Sequence, residues 1–336
     1  MKAAVKLLKK YFIFIKIIAA LLIFWLLAHS SQLNVSLFSS LLNKPFFTLA
    51  IVGLFYLAVL ANTWRWYRLN AAQEIALPLT KTLIPTYLTV AFNTILPGSV
   101  GGDVFRTYHL IKKFPQQKSG VILSIFLDRF SGLMGIFLII CLTALYRWDA
   151  ISQNHTLAYV LTVCFSLCAM GGIVFFISIL LPDNLGLTHW LEKKFSGNRW
   201  VQPVVSLLEA MHVYRHSKLI ILECLIVSLI TQLALLAAIL LINNMMGLAM
   251  LSPFDYMLAL AIAQIANLIP LTPGGIGIGE AAFANILLIL NPSITGAYAT
   301  VYFASRLISV MAYLPGVLLG IFGSKILHKE TYLPRA

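Results

Sequence analysis

The sequence predicts an all-α, polytopic membrane protein with about six full spans and two re-entrant or broken helical hairpins in an inverted repeat. Three observations predict it: an apolar composition, basic residues concentrated between the spans, and a Pro/Gly-rich motif that occurs twice. Of the 336 residues, 60% are hydrophobic and only 10% are charged, whereas soluble domains carry about 25% charged residues. Stretches of roughly 20 apolar residues, long enough to cross a hydrocarbon core of ~30 Å, recur along the chain. The predicted spans lie near 11–28, 46–64, 119–146, 157–181, 218–243 and 297–323.

The basic residues lie between the predicted spans and do not form the basic face that a nucleic-acid-binding domain would need. The formal net charge is +13, and 20 of the 24 Lys and Arg residues fall in the five segments 1–16, 65–81, 103–118, 183–218 and 325–335. Membrane loops rich in Lys and Arg stay on the cytoplasmic side. We therefore expect these segments and both termini in the cytoplasm, in a protein of the inner (cytoplasmic) membrane that contacts membrane lipids and no nucleic acid.

A Pro/Gly-rich motif interrupts the apolar pattern twice, as NTILPGSVGGDVFR (93–106) and as NLIPLTPGGIGIGE (267–280). Two glycines follow the first proline of each copy at the same offsets. Irregular backbone at membrane depth is tolerated only where protein buries it or where it lines a polar cavity. Each motif therefore predicts the tip of a broken helical hairpin. The predicted tip residues are Pro97, Gly101, Gly102, Pro270, Gly274 and Gly275.

The arms of the hairpins are the short segments on either side of each motif. The first hairpin is expected to enter the membrane and return on one side, because its second arm is short and polar. Whether 255–290 re-enters or crosses the membrane twice is left open by the loop charges. The predicted arms are 82–97 and 104–111 in the first hairpin, and 255–271 and 281–290 in the second.

An arginine follows each motif inside a long predicted span: Arg129 in FLDRFSG and Arg306 in FASRLIS. Each unit therefore consists of a span, a broken hairpin and an Arg-bearing span. The loop charges predict that the two units begin on opposite sides of the membrane. Such an inverted repeat is typical of transporters. We expect a single integral membrane domain over 1–336, with repeats near 46–146 and 218–323 and a cytoplasmic loop at 183–217.

Both arginines need partners, because an Arg at the centre of a membrane helix costs at least ~2.5–3.5 kcal/mol. Acids, backbone carbonyls or a wet cavity could supply them. Consecutive helix residues do not face each other, so the partner of Arg129 is expected elsewhere than at Asp128, and the other acids near the membrane are Asp103, Asp255 and Glu280. Two interpretations remain open. The arginines only pair with acids and lock the bundle, or their planar guanidinium groups bind a phosphate in bidentate fashion. The candidate substrate-binding residues are Asn93, Asp103, Arg106, Asp128, Arg129, Asn267, Glu280 and Arg306.

Over about 11–323 the chain resembles the transmembrane, flippase-like region of the lysylphosphatidylglycerol synthase family. The resemblance is carried by NTILPGSVGGDVFR, LDRFSG, NLIPLTPGGIGIGEAAF and YFASRLIS. In the bifunctional members of that family, a cytosolic aminoacyl-transferase domain makes the lipid and the membrane region moves it between leaflets. The resemblance implies a stand-alone member that lacks the transferase domain, so synthase activity is not expected.

These features favour a flippase or transporter that moves an anionic, aminoacylated or polyprenyl-phosphate lipid between leaflets. The alternative is a membrane-embedded, lipid-modifying aminoacyl or glycosyl transferase, or an accessory subunit of one. A donor-using enzyme should show a nucleotide or metal motif, and here the Gly-rich motifs follow membrane helices instead of a strand of an α/β unit. We therefore expect a protein that is not an enzyme, with no catalytic residues, cofactor or metal. Besides lipids, the expected partners are a separate lipid-synthesising enzyme or a second copy of the chain.

The predicted topology can be measured with single cysteines introduced near Lys113 and near Asn244. The charge distribution places the first position in the cytoplasm and the second outside the cell. A membrane-impermeant thiol reagent added to intact cells should therefore label the position near Asn244 and spare the position near Lys113. Labelling near Lys113 from outside would remove the basis of the inverted repeat.

Overall fold

The computed structural model describes residues 22–23, 25–27, 29, 34–95, 101–180, 213–214, 217–269, 271–272 and 275–322. All regular secondary structure in these ranges is helical. Besides a short 3-10 helix at Val35–Leu37, the helices are α1 (Phe38–Leu42), α2 (Pro45–Ala72), α3 (Leu79–Ile95), α4 (Gly101–Lys113), α5 (Lys118–Tyr146), α6 (Trp148–Ser152), α7 (His155–Leu180), α8 (Lys218–Met245), α9 (Pro253–Ala266), α10 (Ile278–Leu290) and α11 (Tyr298–Phe322).

Within the described ranges, three helices are long and apolar enough to cross a membrane: α2, α5 and the Leu219–Met245 part of α8. Two further helices, α7 and α11, are 26 and 25 residues long. The prediction of an all-α, polytopic membrane protein is therefore confirmed. The first predicted span, 11–28, lies almost wholly outside the described residues, and so does most of the loop 183–217.

Helix α2 continues past the predicted end of its span at residue 64 and ends at Ala72. The predicted span ends just before Arg65, the first charged residue after the apolar stretch. Arg65 and Asn70 are buried all the same, because each has a polar partner on α5. Arg65 binds Asp128, and the side-chain oxygen of Asn70 accepts a hydrogen bond of 2.9 Å from Ser124. The polar end of α2 is therefore part of the bundle interior.

The long helices α2, α5, α8 and α11 form one group of packed helices. Helix α2 touches the other three, and α8 touches both α5 and α11. The first helix of each hairpin lies against the Arg-bearing helix of the other unit, since α3 contacts α11 and α9 contacts α5. The second helix of each hairpin lies against the Arg-bearing helix of its own unit, α4 against α5 and α10 against α11. This reciprocal arrangement is the one expected of two equivalent units, whereas their inversion in the membrane stays a prediction.

Each hairpin consists of two short helices in mutual contact, α3 with α4 and α9 with α10. Helices α9 and α10 have 14 and 13 residues, which at 1.5 Å per residue is about 20 Å, less than a hydrocarbon core of ~30 Å. These lengths favour re-entry over two full crossings for the second hairpin. Helix α10 begins after Gly277, whose φ of +88° suits glycine. The Glu280 carboxylate accepts the backbone N–H of Gly277 at 2.7 Å and so closes this helix start.

The open ends of the second hairpin are tied to the end of α5 by one buried acid. Asp255, in the first turn of α9, lies 2.7 Å from Nε of Arg147, which directly follows α5. Asn291, directly after α10, donates to the same carboxylate at 3.0 Å. Arg147 also donates to the backbone oxygen of Leu290 at 3.3 Å. These bonds hold both open ends of the hairpin against the helix that carries Arg129.

Candidate functional site

A chain of alternating charges joins the first hairpin to α2 and α5. On α5, Asp128 accepts from Nε of Arg65 at 2.8 Å and from Arg106 at 3.0 Å. On α4, Asp103 accepts from Arg106 at 3.1 Å and from Nε of Arg129 at 2.6 Å. The partner of Arg129 is therefore Asp103 and not its chain neighbour Asp128, as helix geometry requires. Five ionised side chains from three helices are linked without a gap.

The arginines of this chain differ strongly in exposure. The Arg106 side chain is 2% exposed, and its guanidinium carbon lies 4.2 Å from the centroid of the Trp66 ring. The Arg65 side chain is also buried and donates to Ser228 on α8 at 2.8 Å. The Arg129 side chain is 46% exposed and is held through Nε alone. Its two terminal nitrogens have no partner among the described residues, so they can receive a ligand.

The second hairpin holds Arg306 in a similar way. Nε of Arg306 lies 2.9 Å from the buried carboxylate of Glu280, and a terminal nitrogen donates to the side-chain oxygen of Asn267 at 2.6 Å. Asn267 in turn donates to the hydroxyl of Tyr302 at 2.8 Å. Arg306 also donates to the backbone oxygen of Gly275 at 3.3 Å. The tip of the hairpin and the long helix α11 are therefore bound together through one guanidinium group.

The two hairpins match by position along their second helices. The second residues of α4 and α10 are Gly102 and Gly279, and the third residues are Asp103 and Glu280. Each acid binds the arginine that lies 26 positions further on, Asp103 with Arg129 and Glu280 with Arg306. This equivalence differs from the proline-based alignment, which matched Gly102 with Gly275. The second tip contains more residues between its two helices than the first, so offsets counted from the proline do not align the helix starts.

The matched glycines allow the two helices of each hairpin to approach closely. A Cβ on Gly102 would lie 2.6 Å from Cα of Thr89 on α3, and a Cβ on Gly279 would lie 2.9 Å from Cγ of Asn267. The backbone N–H of Gly102 donates to the side-chain oxygen of Asn93 at 2.9 Å. Among the predicted tip residues, Gly101 begins α4, and Gly275 has a φ of +72°. Pro97, Pro270 and Gly274 lie outside the described residues.

One cavity of about 340 Å³ lies between the two hairpins and is lined from both units. Its volume falls in the range of about 300–1,000 Å³ that is usual for small-molecule sites. Two of the candidate residues, Asp103 and Glu280, do not line the cavity. They contact the arginines that do, Arg129 and Arg306. The candidate residues that line the cavity are Asn93, Arg106, Asp128, Arg129, Asn267 and Arg306.

Sequence reasoning missed several residues of the cavity wall. The sequence pattern places Arg65 in a loop, because the apolar stretch before it ends at this first charge. Asn62, one turn before Arg65 on α2, gave no signal, since a single amide in an apolar span is common. The other missed polar residues are Thr86, Thr89, Tyr302 and Ser309.

A smaller, mainly apolar recess of about 120 Å³ lies beside the cavity. It shares Tyr302, Arg306 and Ser309 with the cavity wall. The remaining lining residues are Phe55, Leu235, Ile239, Leu260, Gln264 and Ser305. A cationic, hydrogen-bonding cavity and an apolar recess are therefore adjacent and share one arginine, an arrangement suited to a molecule with a polar head and an apolar part.

Comparison with known families adds a decisive observation to this geometry. The model of the lysylphosphatidylglycerol synthase TM region matches residues 13–316. The chain belongs to this family. The match confirms the predicted resemblance and covers both hairpins, the whole of α5 and the part of α11 that carries Arg306. Membership in the lysylphosphatidylglycerol synthase TM family indicates a membrane protein involved in lipid handling or translocation. A search of curated proteins and a search of solved structures returned no match.

The contrast between Arg106 and Arg129 gives a stability prediction for this family member. Arg106→Met leaves the buried carboxylates of Asp103 and Asp128 short of a partner, and breaking a buried ion pair in this way costs about 3–5 kcal/mol. Arg129→Met removes a half-exposed partner, so its cost should stay below about 1 kcal/mol. Thermal unfolding of both variants in the same detergent measures the difference. Equal losses of stability would contradict the distinction between a structural and a ligand-facing arginine.

Proposed function

We propose that the protein is a lipid flippase or transporter, which moves an anionic, aminoacylated or polyprenyl-phosphate lipid between the leaflets of the inner membrane. The lipid phosphate binds in the cavity between the hairpins. The observation that carries the proposal is the position of Arg129 and Arg306 on the wall of this one cavity. They come from equivalent positions of the two units, and a guanidinium group binds phosphate through two parallel hydrogen bonds.

The state of Arg129 supports a ligand-binding role. Asp103 binds Nε and fixes the orientation of the group, while the two terminal nitrogens have no partner among the described residues. Nε of Arg306 forms an ion pair with Glu280 at 2.9 Å, although without the hydrogen-bond geometry of the first pair. The acid paired with each arginine offsets most of the cost of a charge at membrane depth. In Arg129 the acid binds Nε, so the two terminal nitrogens remain directed to the cavity.

The apolar recess beside Arg306 supports a lipid as the ligand. A lipid with its phosphate in the cavity needs an apolar path for the part of the molecule next to the head group. Phe55, Leu260 and Ile239 offer such surface directly beside the shared arginine. In many transporters, broken helices form a binding site at the interface of two repeats. Movement of one repeat against the other then opens this site to one side of the membrane at a time.

Reconstituted protein tests the transport function. Purified protein in liposomes is given lipids that carry a fluorophore on an acyl chain, and a membrane-impermeant quencher reports how much lipid remains in the outer leaflet. We expect faster exchange between leaflets than in protein-free liposomes. The lipid extracted afterwards should have an unchanged mass. A new mass that depends on a donor substrate would instead assign the transferase alternative.

Replacement of either arginine by lysine separates phosphate binding from charge alone. Lysine keeps the charge and loses the planar fork, so Arg129→Lys and Arg306→Lys should fold as the wild type does and translocate lipid slower by about tenfold or more. Arg68→Lys is the matched control. Arg68 pairs with Glu223 at 2.8 Å and does not line the cavity, so this variant should translocate normally. Near-normal translocation by both cavity variants, at equal expression and thermal stability, would leave the arginines as ion-pair partners only.

A further inference from the structure

The apolar recess occupies, in the second unit, the place that part of the cavity occupies in the first. Helices α2 and α8 are the first long helices of the two units and have 28 residues each. Asn62 of the cavity wall and Leu235 of the recess wall both lie 17 residues after the first residue of their helix. The same position therefore lines the cavity in the first unit and the recess in the second.

The first helices of the two hairpins, α3 and α9, show the same relation. Their positions can be matched through Asn93 and Asn267, which lie near the tip end of each helix. The residues seven and three positions before these asparagines line the cavity on α3 and the recess on α9. The matched pairs are Thr86 with Leu260 and Val90 with Gln264. The recess is therefore the equivalent of the side of the cavity that α2 and α3 form.

The two equivalent spaces differ in size because two amide side chains meet in the second. The cavity, lined by α2 and α3, measures about 340 Å³, and the recess, lined by α8 and α9, measures about 120 Å³. Nε2 of Gln264 donates to Oε1 of Gln232 at 2.8 Å, and Nε2 of Gln232 donates to Oε1 of Gln264 at 3.2 Å. This reciprocal pair of hydrogen bonds holds α8 against α9 beside the recess.

Valines occupy the equivalent positions of the first unit. Gln232 lies 14 residues after the first residue of α8, as Val59 does after the first residue of α2, and Val90 matches Gln264. Valine side chains have no hydrogen-bonding group, so these two cannot join α2 to α3 in the same way. The amide pair therefore belongs to the unit in which the space is small.

Two neutral hydrogen bonds form a contact that can open and close. They are weaker than charge-assisted bonds, which tie the tip and the open ends of the same hairpin through Arg306 and Arg147. When α8 and α9 part, each amide needs a new partner, because an unpaired polar group in an apolar environment is costly. A lipid head group offers phosphate, carbonyl or hydroxyl oxygens that accept hydrogen bonds from both amides. A passing head group can therefore replace this contact.

We infer that the recess is the closed second half of the translocation pathway and that the Gln232–Gln264 pair is its gate. The inference rests on the proposed function and adds how access to the site alternates. In the other conformation α8 and α9 part and the recess widens, while α2 and α3 close on the cavity, as one repeat moves against the other. A lipid bound at Arg306, which lines both spaces, then leaves through the second unit.

A zinc bridge across the gate tests the inference. Gln232→His with Gln264→His places two imidazoles where the amides now meet, and Zn²⁺ binds each imidazole nitrogen at about 2.0–2.1 Å. The probes are fluorescent phosphatidylglycerol, lysyl-phosphatidylglycerol and polyprenyl phosphate in liposomes. Zn²⁺ should slow the translocation of the transported lipid by about tenfold or more, because the recess cannot open, and a chelator should restore the rate. A photoreactive form of the same lipid should still label the cavity near Asn93, because the gate residues do not line the cavity.

The matched control is a zinc bridge between α2 and α8 outside the pathway. The Trp64 indole donates to Glu223 at 2.7 Å, and neither residue lines the cavity or the recess. Trp64→His with Glu223→His therefore offers the same pair of ligands at a contact that does not have to open. Zn²⁺ should leave translocation by this variant, and by the wild-type protein, unchanged.

Unchanged translocation by the gate variant with zinc bound, an equal loss in the control, or loss of cavity labelling would overturn the inference and leave the proposed function standing. No translocation of any probe by the wild-type protein would defeat the proposed function, and the inference with it. If the His pair is inactive without Zn²⁺, Gln232→Cys with Gln264→Cys decides, in a protein whose four native cysteines are replaced by alanine. A bifunctional thiol reagent that contains a disulfide should then block translocation, and reduction should restore it.

Discussion

An ionised side chain inside a membrane bundle must have a partner, and in this protein that requirement determines how the hairpins are held. Asp128 binds one arginine from α2 and one from α4, so the second arm of the first hairpin is fixed to two long helices at once. Glu280 and Arg306 fix the second hairpin to α11 in the same way. Removal of any one buried charge would leave another uncompensated. In the second hairpin these ion pairs act together with the main apolar core, to which both α9 and α10 contribute buried side chains.

The same ion pairs also produce the cavity. An acid on the third residue of each second arm holds its arginine by Nε and so points the guanidinium group toward the space between the units. The small residues before these acids, Gly102 and Gly279, bring each hairpin's two helices close enough for Asn93 and Asn267 to contact the opposite arm. Structure and proposed function therefore use one set of residues: the charges that stabilise the hairpins leave one guanidinium face, that of Arg129, for an anionic ligand.

The fold class, the hairpins and both cavity arginines could be predicted from the sequence, because prolines, glycines and charges stand out against an apolar background. The burial of Arg65 could not be predicted, because its partners Asp128 and Ser228 lie on helices far away in the chain. Alignment of the two motifs on their first prolines also pairs the wrong glycines, because the second tip is longer than the first. The separation of 26 residues between acid and arginine is the same in both units of the sequence. Only the contacts in the structure show that each of these acids pairs with its arginine.

The central claim is that one cavity between the two units receives the lipid phosphate. The most direct measurement uses phosphatidylglycerol with a photoreactive group in its head-group alcohol, crosslinked to the protein in liposomes and mapped by mass spectrometry. The account predicts adducts on the cavity-facing parts of both α3, near Thr86 and Asn93, and α11, near Tyr302 and Ser309, and their loss in Arg129→Gln. Adducts confined to lipid-exposed helices such as α7, with the cavity residues unlabelled, would contradict it.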